Sequence, residues 1–344
     1  MLKNIFTISD IELGKGDIFD DFKDENSLIS FLKKITYKSG KNTLVLNGDT
    51  FDFLKMPYQN KFTHHITEEI SLWKLEQILA TYPKIFQQLS EFLNRKNNKI
   101  HFNIGNHDFD LLWPAVQKRL KQVLGENNKV TFDHNYQDNF VYIEHGNQVD
   151  YFYKMDIEKP FLIHKGTPLL NLPLGSVAVI KYFIELKRHF PMEETIYPRH
   201  TAFEHFPEFK RMKQKIAFNF AIKGLLFNFI TSLGDPISSV PYLNLIKHMF
   251  AHGLELHDES KFIRKRFKNL VKLHPGKQAY IMGHVHLTHH DIHPTENHSH
   301  IVTDTWREEF NIRNGKRIPK AKTYAHIIYD DDNKLKKIDL LTYS

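Results

Sequence analysis

Five short polar clusters each follow an apolar run: Asp10-Ile11-Glu12 after KNIFTIS, Gly48-Asp49 after TLVLN, Gly105-Asn106-His107-Asp108 after KIHFNI, His145-Gly146 after FVYIE, and Gly283-His284-Val285-His286 after QAYIM. Apolar runs of this length, bounded by glycine and polar residues, read as β-strands. Carboxylates, an amide and imidazoles at strand ends can converge on one edge of a sheet. Oxygen and nitrogen donors gathered that way are what two divalent cations a few ångströms apart require, and cations so placed activate water for in-line displacement. A lone histidine at a strand end is more often a surface or hydrogen-bonded residue, so the weight lies on the set.

The elements that must position these clusters alternate. A strand near 3–9 precedes a helix near 25–38, with Asn26 or Ser27 as its cap, and a strand near 43–47 follows. A long helical region over 66–95 breaks near Pro83, and strands near 99–104 and 140–144 bracket a helix near 111–123. Alternation of this kind argues for an α/β sheet covered on both faces. From about 151 to 275 the apolar residues recur at helical spacing, in 177–190, 215–234, 242–256 and 262–273, punctuated by proline and glycine. The sheet resumes near 278–282 and 300–304, and a terminal hairpin turns at an Asp/Asn-rich segment. The expected organisation is a core of residues 1–150 and 275–344 interrupted by a helical insertion, or cap, over 151–274.

The chain has 344 residues, 41% hydrophobic and 25% charged, which fits a globular protein. It has no cysteine, which excludes disulfides, iron–sulfur clusters and Cys-ligated zinc and leaves His, Asp, Glu and Asn as metal ligands. A formal charge of +7 and a pI of about 9.1 suit an anionic partner, or reflect a Lys- and Asn-rich composition alone. Between Phe209 and Lys277 there are 13 Lys/Arg against 4 Asp/Glu, so the insertion is basic as well as apolar. No leader pattern and no long uninterrupted apolar stretch is visible, and the expectation is a cytoplasmic protein. Five further histidines, His289, His290, His293, His298 and His300, read as a hydrated loop.

The ordered set D-x-E, GD-x-x-D, GNHD, HG and GHxH resembles the calcineurin-like metallophosphoesterase superfamily over about residues 1–150 and 275–344. That resemblance implies a four-layer α-β-β-α sandwich core and a binuclear centre that hydrolyses a phosphoester or pyrophosphate bond by a metal-activated hydroxide. Carried over by position, it implies that Asp10 and His286 serve one metal and that Asp49 bridges both. Asn106, His145 and His284 complete the second site, while His107 sits beside the substrate with Asp52 holding its imidazole. A protonated His107 would deliver a proton to the leaving oxygen.

The first cluster departs from the family pattern, which has histidine where this chain has Glu12. Direct coordination by Glu12 would give a harder, more anionic site favouring Mn²⁺, Mg²⁺ or Fe over Zn²⁺, with Mn²⁺ the first expectation. Alternatively Glu12 reaches a ligand water or another side chain and leaves the first metal weak, or the site is a degenerate, non-catalytic scaffold.

The FDF after Gly48-Asp49-Thr50, the HGNQVD block and the helical insertion look like the UDP-2,3-diacylglucosamine hydrolase branch, although that branch commonly carries Arg where this chain has His107. The implied partner is a phosphorylated small molecule or a lipid-linked substrate, amphiphilic or nucleotide-linked. The basic, apolar insertion allows peripheral contact at the inner membrane face. Arg199, Arg307 and Lys165 are candidate phosphate clamps. The alternative is a nuclease or nucleotide phosphodiesterase that uses the insertion as a nucleic-acid surface.

Overall fold

Apolar residues sit at successive positions along the central strands, so each strand is buried on two faces rather than one. The computed structural model describes residues 2–125, 128–197, 259–292, 298–313 and 316–343, with isolated positions 208, 211, 212, 214, 215 and 237. In chain order the elements are β1 (Lys3–Ile8), α1 (Glu25–Thr36), β2 (Lys41–Asn47), α2 (Glu68–Thr81), α3 (Pro83–Asn94), β3 (Lys99–Asn103), α4 (Pro114–Val123), β4 (Val130–Asp133), β5 (Asn135–Gln137) and β6 (Val141–Glu144). There follow β7 (Phe161–His164), β8 (Thr167–Leu170), α5 (Leu174–Ala178), α6 (Ile184–His189), β9 (Ile196–Tyr197), α7 (Glu259–Leu273), β10 (Ala279–Met282), β11 (His289–Ile292), β12 (Ser299–Val302), β13 (Phe310–Arg313), β14 (Lys316–Pro319), β15 (Lys322–Tyr329) and β16 (Leu335–Tyr343).

This is a mixed α/β fold. One sheet has the order β16-β15-β1-β2-β3-β4, with β1 to β4 parallel. The second has the order β11-β12-β10-β6-β5, with β6, β10 and β12 parallel. Ile5, Val45, Ala325 and Ile327 of the first sheet share one buried cluster with Val141, Ile143, Ala279, Ile281 and Ile301 of the second. The opposite face of the first sheet, Phe6, Ile8, Leu44, Leu46, Ile100 and Phe102, packs against residues of α1 to α4. The opposite face of the second, Tyr142, Tyr280, Met282 and Val302, packs against Ile263, Phe267 and Leu270 of α7. A one-residue slip in any of these strands would exchange its two faces and destroy both contacts.

Local signals explain most boundaries. Asp24 caps α1, its carboxylate accepting the Ser27 amide at 3.1 Å. The cap is therefore two or three residues earlier than expected, because Ser27 supplies the orphan amide rather than the acceptor. Pro83 occupies the first turn of α3, where its missing N–H costs nothing, so the expected break near Pro83 is the boundary between α2 and α3. Helix α1 buries Leu28, Phe31, Leu32 and Ile35, one face at helical spacing. Phe31 rests on Trp306 at 5.0 Å between ring centroids, and the Trp306 amide donates to the Asp10 carbonyl at 3.0 Å. The helix face thus braces the first polar cluster, and truncating Phe31 to alanine would cost about 3–5 kcal/mol.

Within the expected insertion, 177–190 becomes α5 and α6 joined by a π-helical turn over Val179–Phe183, and 262–273 falls in α7. The segments 216–234 and 242–256 lie outside the described residues. Among the described residues no helix is long and apolar enough to cross a membrane. The histidines expected as a hydrated loop are largely structural. His289 and His290 belong to β11, while His298 and His300 are buried, His300 stacking on Phe267 at 4.3 Å. Tyr280 and Phe267 offer aromatic faces there, and that contact wins over hydration. His293 lies outside the described residues.

Candidate metal centre

All five clusters leave the sheets at the carboxyl ends of parallel strands, where ligand crevices of α/β folds form. The pairing of β1 with β2 continues past the strand ends: the Asp10 amide donates to the Gly48 carbonyl at 3.2 Å and the Glu12 amide to the Asp49 carbonyl at 2.8 Å. The two sheets meet at the same edge, where Ser9 Oγ and Thr303 Oγ1 lie 2.8 Å apart. The backbone there is strained. Of nine non-glycine residues with positive φ among those described, five are Asp10, Glu12, Asp49, His284 and His286. Such conformations cost about 1–3 kcal/mol each and persist where surrounding bonds over-determine them.

Three donor groups result among the described residues, two of them separate and a third, Glu12, Asp49 and His107, that joins them. Asp49, His145 and His284 present ligand atoms within 4.8 Å of one another, and so do Asp10, Glu12 and His286. Within the first group, His145 Nε2 is 3.0 Å from Asp49 Oδ2 and 3.2 Å from Asn106 Oδ1. Within the second, His286 Nε2 is 3.1 Å from Asp10 Oδ1 and 3.5 Å from Glu12 Oε1. The groups adjoin, His145 Nε2 lying 3.9 Å from Asp10 Oδ1. At Gly48, with φ of +77°, an added Cβ would meet the His145 ring at 2.4 Å. At Gly105 it would lie 2.2 Å from Asp49 Oδ1. Only glycine lets the backbone come this close to the donors.

Each imidazole is oriented through its other nitrogen, as metal-ligating histidines are. His145 Nδ1 donates to the Asn47 carbonyl at 2.9 Å, which turns Nε2 towards the centre. His284 Nε2 lies 3.2 Å from Asp150 Oδ2, and Asp150 is held in turn by Arg266. His286 Nδ1 lies 2.7 Å from Glu309 Oε1. Asp150 and Glu309 were not singled out by the sequence. Asp150 closes the HGNQVD block and Glu309 follows Arg307 by two positions, but neither has a spacing that marks an orienting carboxylate.

The electrostatics favour positive charge. Burial alone would strip the proton from His145, yet Asp49 and Asp10 beside it push the imidazole up to about 10. Burial opposes ionisation of Asp49 too, and His145 and His107 nonetheless hold it below the usual carboxylate range. Burial takes His284 down to about 4, so that ring is a neutral donor. Carboxylate, amide and imidazole donors of this kind fit a divalent cation, which would take the place of the proton that Asp49 and Asp10 hold on His145.

His107 lies beside the same donors, its ring within 4.8 Å of Asp49 and Glu12 oxygens. Its Nδ1 lies 2.9 Å from Asp52 Oδ1, its amide donates to Asp49 Oδ1 at 2.8 Å, and its side chain, 14% exposed, is the most accessible of the set. Against the effect of burial, Asp52 and Asp49 raise it to about 9.

The three expected phosphate clamps fare differently. Arg307 is 2% exposed, with its guanidinium committed to Glu12 and Glu309, and it has no donors left for a phosphate. Lys165 sits exposed in the turn between β7 and β8, with φ of +49°, and among the described residues no hydrogen bond or ion pair joins it to the centre. Arg199 lies outside the described residues. Sequence reasoning also missed Lys55, which is 2% exposed and bridges Glu12, Asp21, Asp52 and Glu194 at 2.7–3.1 Å.

No family model matches the chain, and no curated protein does. Solved structures aligned with it include a predicted phosphoesterase from Streptococcus pneumoniae, at 8% identity, covering 99% of this chain and 98% of that one, with a TM-score of 0.31. A dimetal phosphatase from Danio rerio aligns at 13% identity over 99% of both chains, with a TM-score of 0.38. A cold-active protein-tyrosine phosphatase from a psychrophilic Shewanella aligns at 12% identity over 99% of this chain and 80% of that one, with a TM-score of 0.28. Superpositions this loose decide nothing, and the chemistry must come from the site's own distances.

Proposed function

We infer that the chain is a metal-dependent phosphoesterase of the calcineurin-like type, hydrolysing a phosphoester or pyrophosphate bond at the strand-end centre. The observation that carries this is the pairing of a complete donor group, Asp49, Asn106, His145 and His284, with a carboxylate-backed imidazole, His107 on Asp52, bound to the same Asp49 through its amide. Metal ligands alone would fit storage or structure. A proton donor held one hydrogen bond from the ligand Asp49 fits hydrolysis.

When bound, a divalent cation there supplies positive charge for phosphoryl oxygens and makes water a nucleophile at neutral pH. The chain's residues do the rest. The amide of His107 fixes the Asp49 carboxylate, and Asn47 fixes the tautomer of His145. Asp52 keeps His107 protonated and aims it through Nδ1, so that Nε2 carries the proton given to the leaving oxygen. We read the two packed sheets with helices outside each as the α-β-β-α core, with residues 151–274 as a cap and Mn²⁺ as the working metal.

The described part of that cap reaches the centre. Ser176 Oγ donates to the Asn106 carbonyl at 3.4 Å, and Glu194 reaches Lys55 at 2.7 Å. Arg199 follows Tyr197 by two positions in the same stretch, which keeps it our candidate phosphate contact. The basic, apolar composition of the cap supports an amphiphilic or nucleotide-linked substrate, of which a UDP-diacylglucosamine-like pyrophosphate is the first to try. The test is hydrolysis of an aryl phosphodiester by chelator-stripped protein resupplied with Mn²⁺. Restored turnover that Asn106→Ala abolishes supports the reading, and no turnover with Mn²⁺, Mg²⁺, Fe²⁺ or Zn²⁺ rejects it.

A further inference from the structure

We propose that the Asp10–Glu12–His286 half of the centre is not a second tight metal site, because Arg307 and Lys55 already supply its positive charge. The chain is then a one-metal centre built on Asp49, Asn106, His145 and His284. The proposal rests on the metal-centre reading above.

The two halves adjoin but differ in the cations bonded to them. Both Glu12 oxygens accept from Arg307 Nη1, at 2.9 and 2.8 Å, and Oε2 also accepts from Lys55 Nζ at 3.1 Å. Neither cation is free to swing away. Arg307 Nε and Nη2 donate to Glu309 Oε1 at 3.1 and 2.9 Å, and Nη2 donates to the Glu194 carbonyl at 3.1 Å. Lys55 is tied to Asp21, Asp52 and Glu194 at 3.0, 2.9 and 2.7 Å, and Lys187 joins the same Asp21 and Glu194. Both cations and Glu12 are almost wholly buried, where water and salt screen charge little.

A divalent cation entering between Asp10, Glu12 and His286 would face two fixed positive charges across one carboxylate. A guanidinium cannot relieve that repulsion by losing a proton. If Glu12 turned to the metal instead, Arg307 Nη1 would lose both of its carboxylate bonds and Lys55 one of four in a buried setting, where breaking charge-assisted hydrogen bonds is costly. The carboxylate that orients His286 is shared as well, since Glu309 Oε1 serves both that ring and Arg307. Among the described residues no lysine or arginine bonds the ligand atoms of the other half, where Asp49 accepts the His107 amide and lies 3.0 Å from His145 Nε2, an imidazole that a metal can claim by displacing a proton. Arg266 bonds Asp150, behind His284. Glu12 thus marks a protein cation standing where a histidine-containing site would take a metal.

The test is metal stoichiometry. Full-length protein stripped by chelator is titrated with Mn²⁺ by calorimetry, with the bound Mn²⁺ followed by electron paramagnetic resonance. The expected result is one tight equivalent, a second only at roughly 100-fold or more higher concentration, and the six-line spectrum of an isolated ion. Arg307→Met should tighten the second phase by roughly 10–100-fold, whereas Arg307→Lys keeps the charge and the single equivalent. Should Arg307→Met fail to fold, Lys55→Met asks the same question, and the wild-type titration stands without either. Two equivalents of similar affinity with a spin-coupled spectrum in the wild type overturn the proposal and leave the metal centre intact. Failure to bind any Mn²⁺ tightly overturns both.

Discussion

His107 Nδ1 lies 2.9 Å from Asp52 Oδ1, while the His107 amide donates to Asp49 at 2.8 Å. One residue therefore links the proposed proton donor to the carboxylate proposed to hold metal. Burial alone would make the ring neutral, but Asp52 and Asp49 raise it to about 9, so it is protonated at neutral pH. His107→Gln should lower kcat by roughly 10²–10⁴-fold on an alkyl phosphoester, and less on an aryl ester whose leaving group needs no proton. In the wild type the rate should fall as pH rises through the His107 titration. Asp52→Asn removes the largest raising influence and should move that fall to lower pH. Identical pH–rate profiles for wild type and Asp52→Asn would exclude His107 as the acid.

Asp150 orients His284 and is itself paired with Arg266 in a buried setting. Asp150→Asn should weaken Mn²⁺ binding by roughly 10–100-fold, as expected when an orienting carboxylate behind a ligand imidazole is lost. Calorimetric titration reads this directly. A thermal melt of the metal-free protein separates loss of orientation from loss of fold, since Asn keeps the size but leaves Arg266 short of a partner.

A pH effect remote from the centre comes from His326. Its ring stacks on Phe6 at 4.5 Å and its Nε2 lies 3.1 Å from Asn4 Oδ1. Burial, helped by Lys38, takes its pKa down to about 4 from an ordinary value of 6.5. Between those values the unfolded chain binds a proton that the folded chain does not. The contribution of this group is complete above pH 6.5 and is lost as pH falls towards 4. Urea midpoints measured from pH 7 to 4.5 should drop less steeply in His326→Gln than in the wild type, and equal slopes would contradict this.

Much of the frame was legible because it is local. The strands that carry the clusters announce themselves by apolar runs ending in Gly, Asp or His, and Pro83 marks the start of α3 by a rule that concerns one turn. The unread parts are those in which distant segments decide. Lys55 and Arg307 stand 43 and 295 positions from Glu12, and no spacing in the chain foretells that both would close on it. Arg307 looked like a phosphate clamp because a guanidinium suits that task, yet the Glu12 and Glu309 carboxylates claimed it first. Asp150 and Glu309 were equally hidden, since a carboxylate that orients a ligand carries no local signature. His298 and His300 look hydrophilic in sequence and are buried, His300 beneath Phe267 of α7 and His298 against Tyr280. The short strands β5, β7 to β9, β11, β13 and β14 have too few residues to show a period.

The central claim is that Asp49, Asn106, His145 and His284 hold a divalent cation. The most direct measurement is anomalous scattering from crystals grown with Mn²⁺, collected on both sides of the manganese edge. The account predicts the strongest peak among those four side chains, lost in His145→Ala. A strongest peak elsewhere, or none among these four at saturating Mn²⁺, would contradict it.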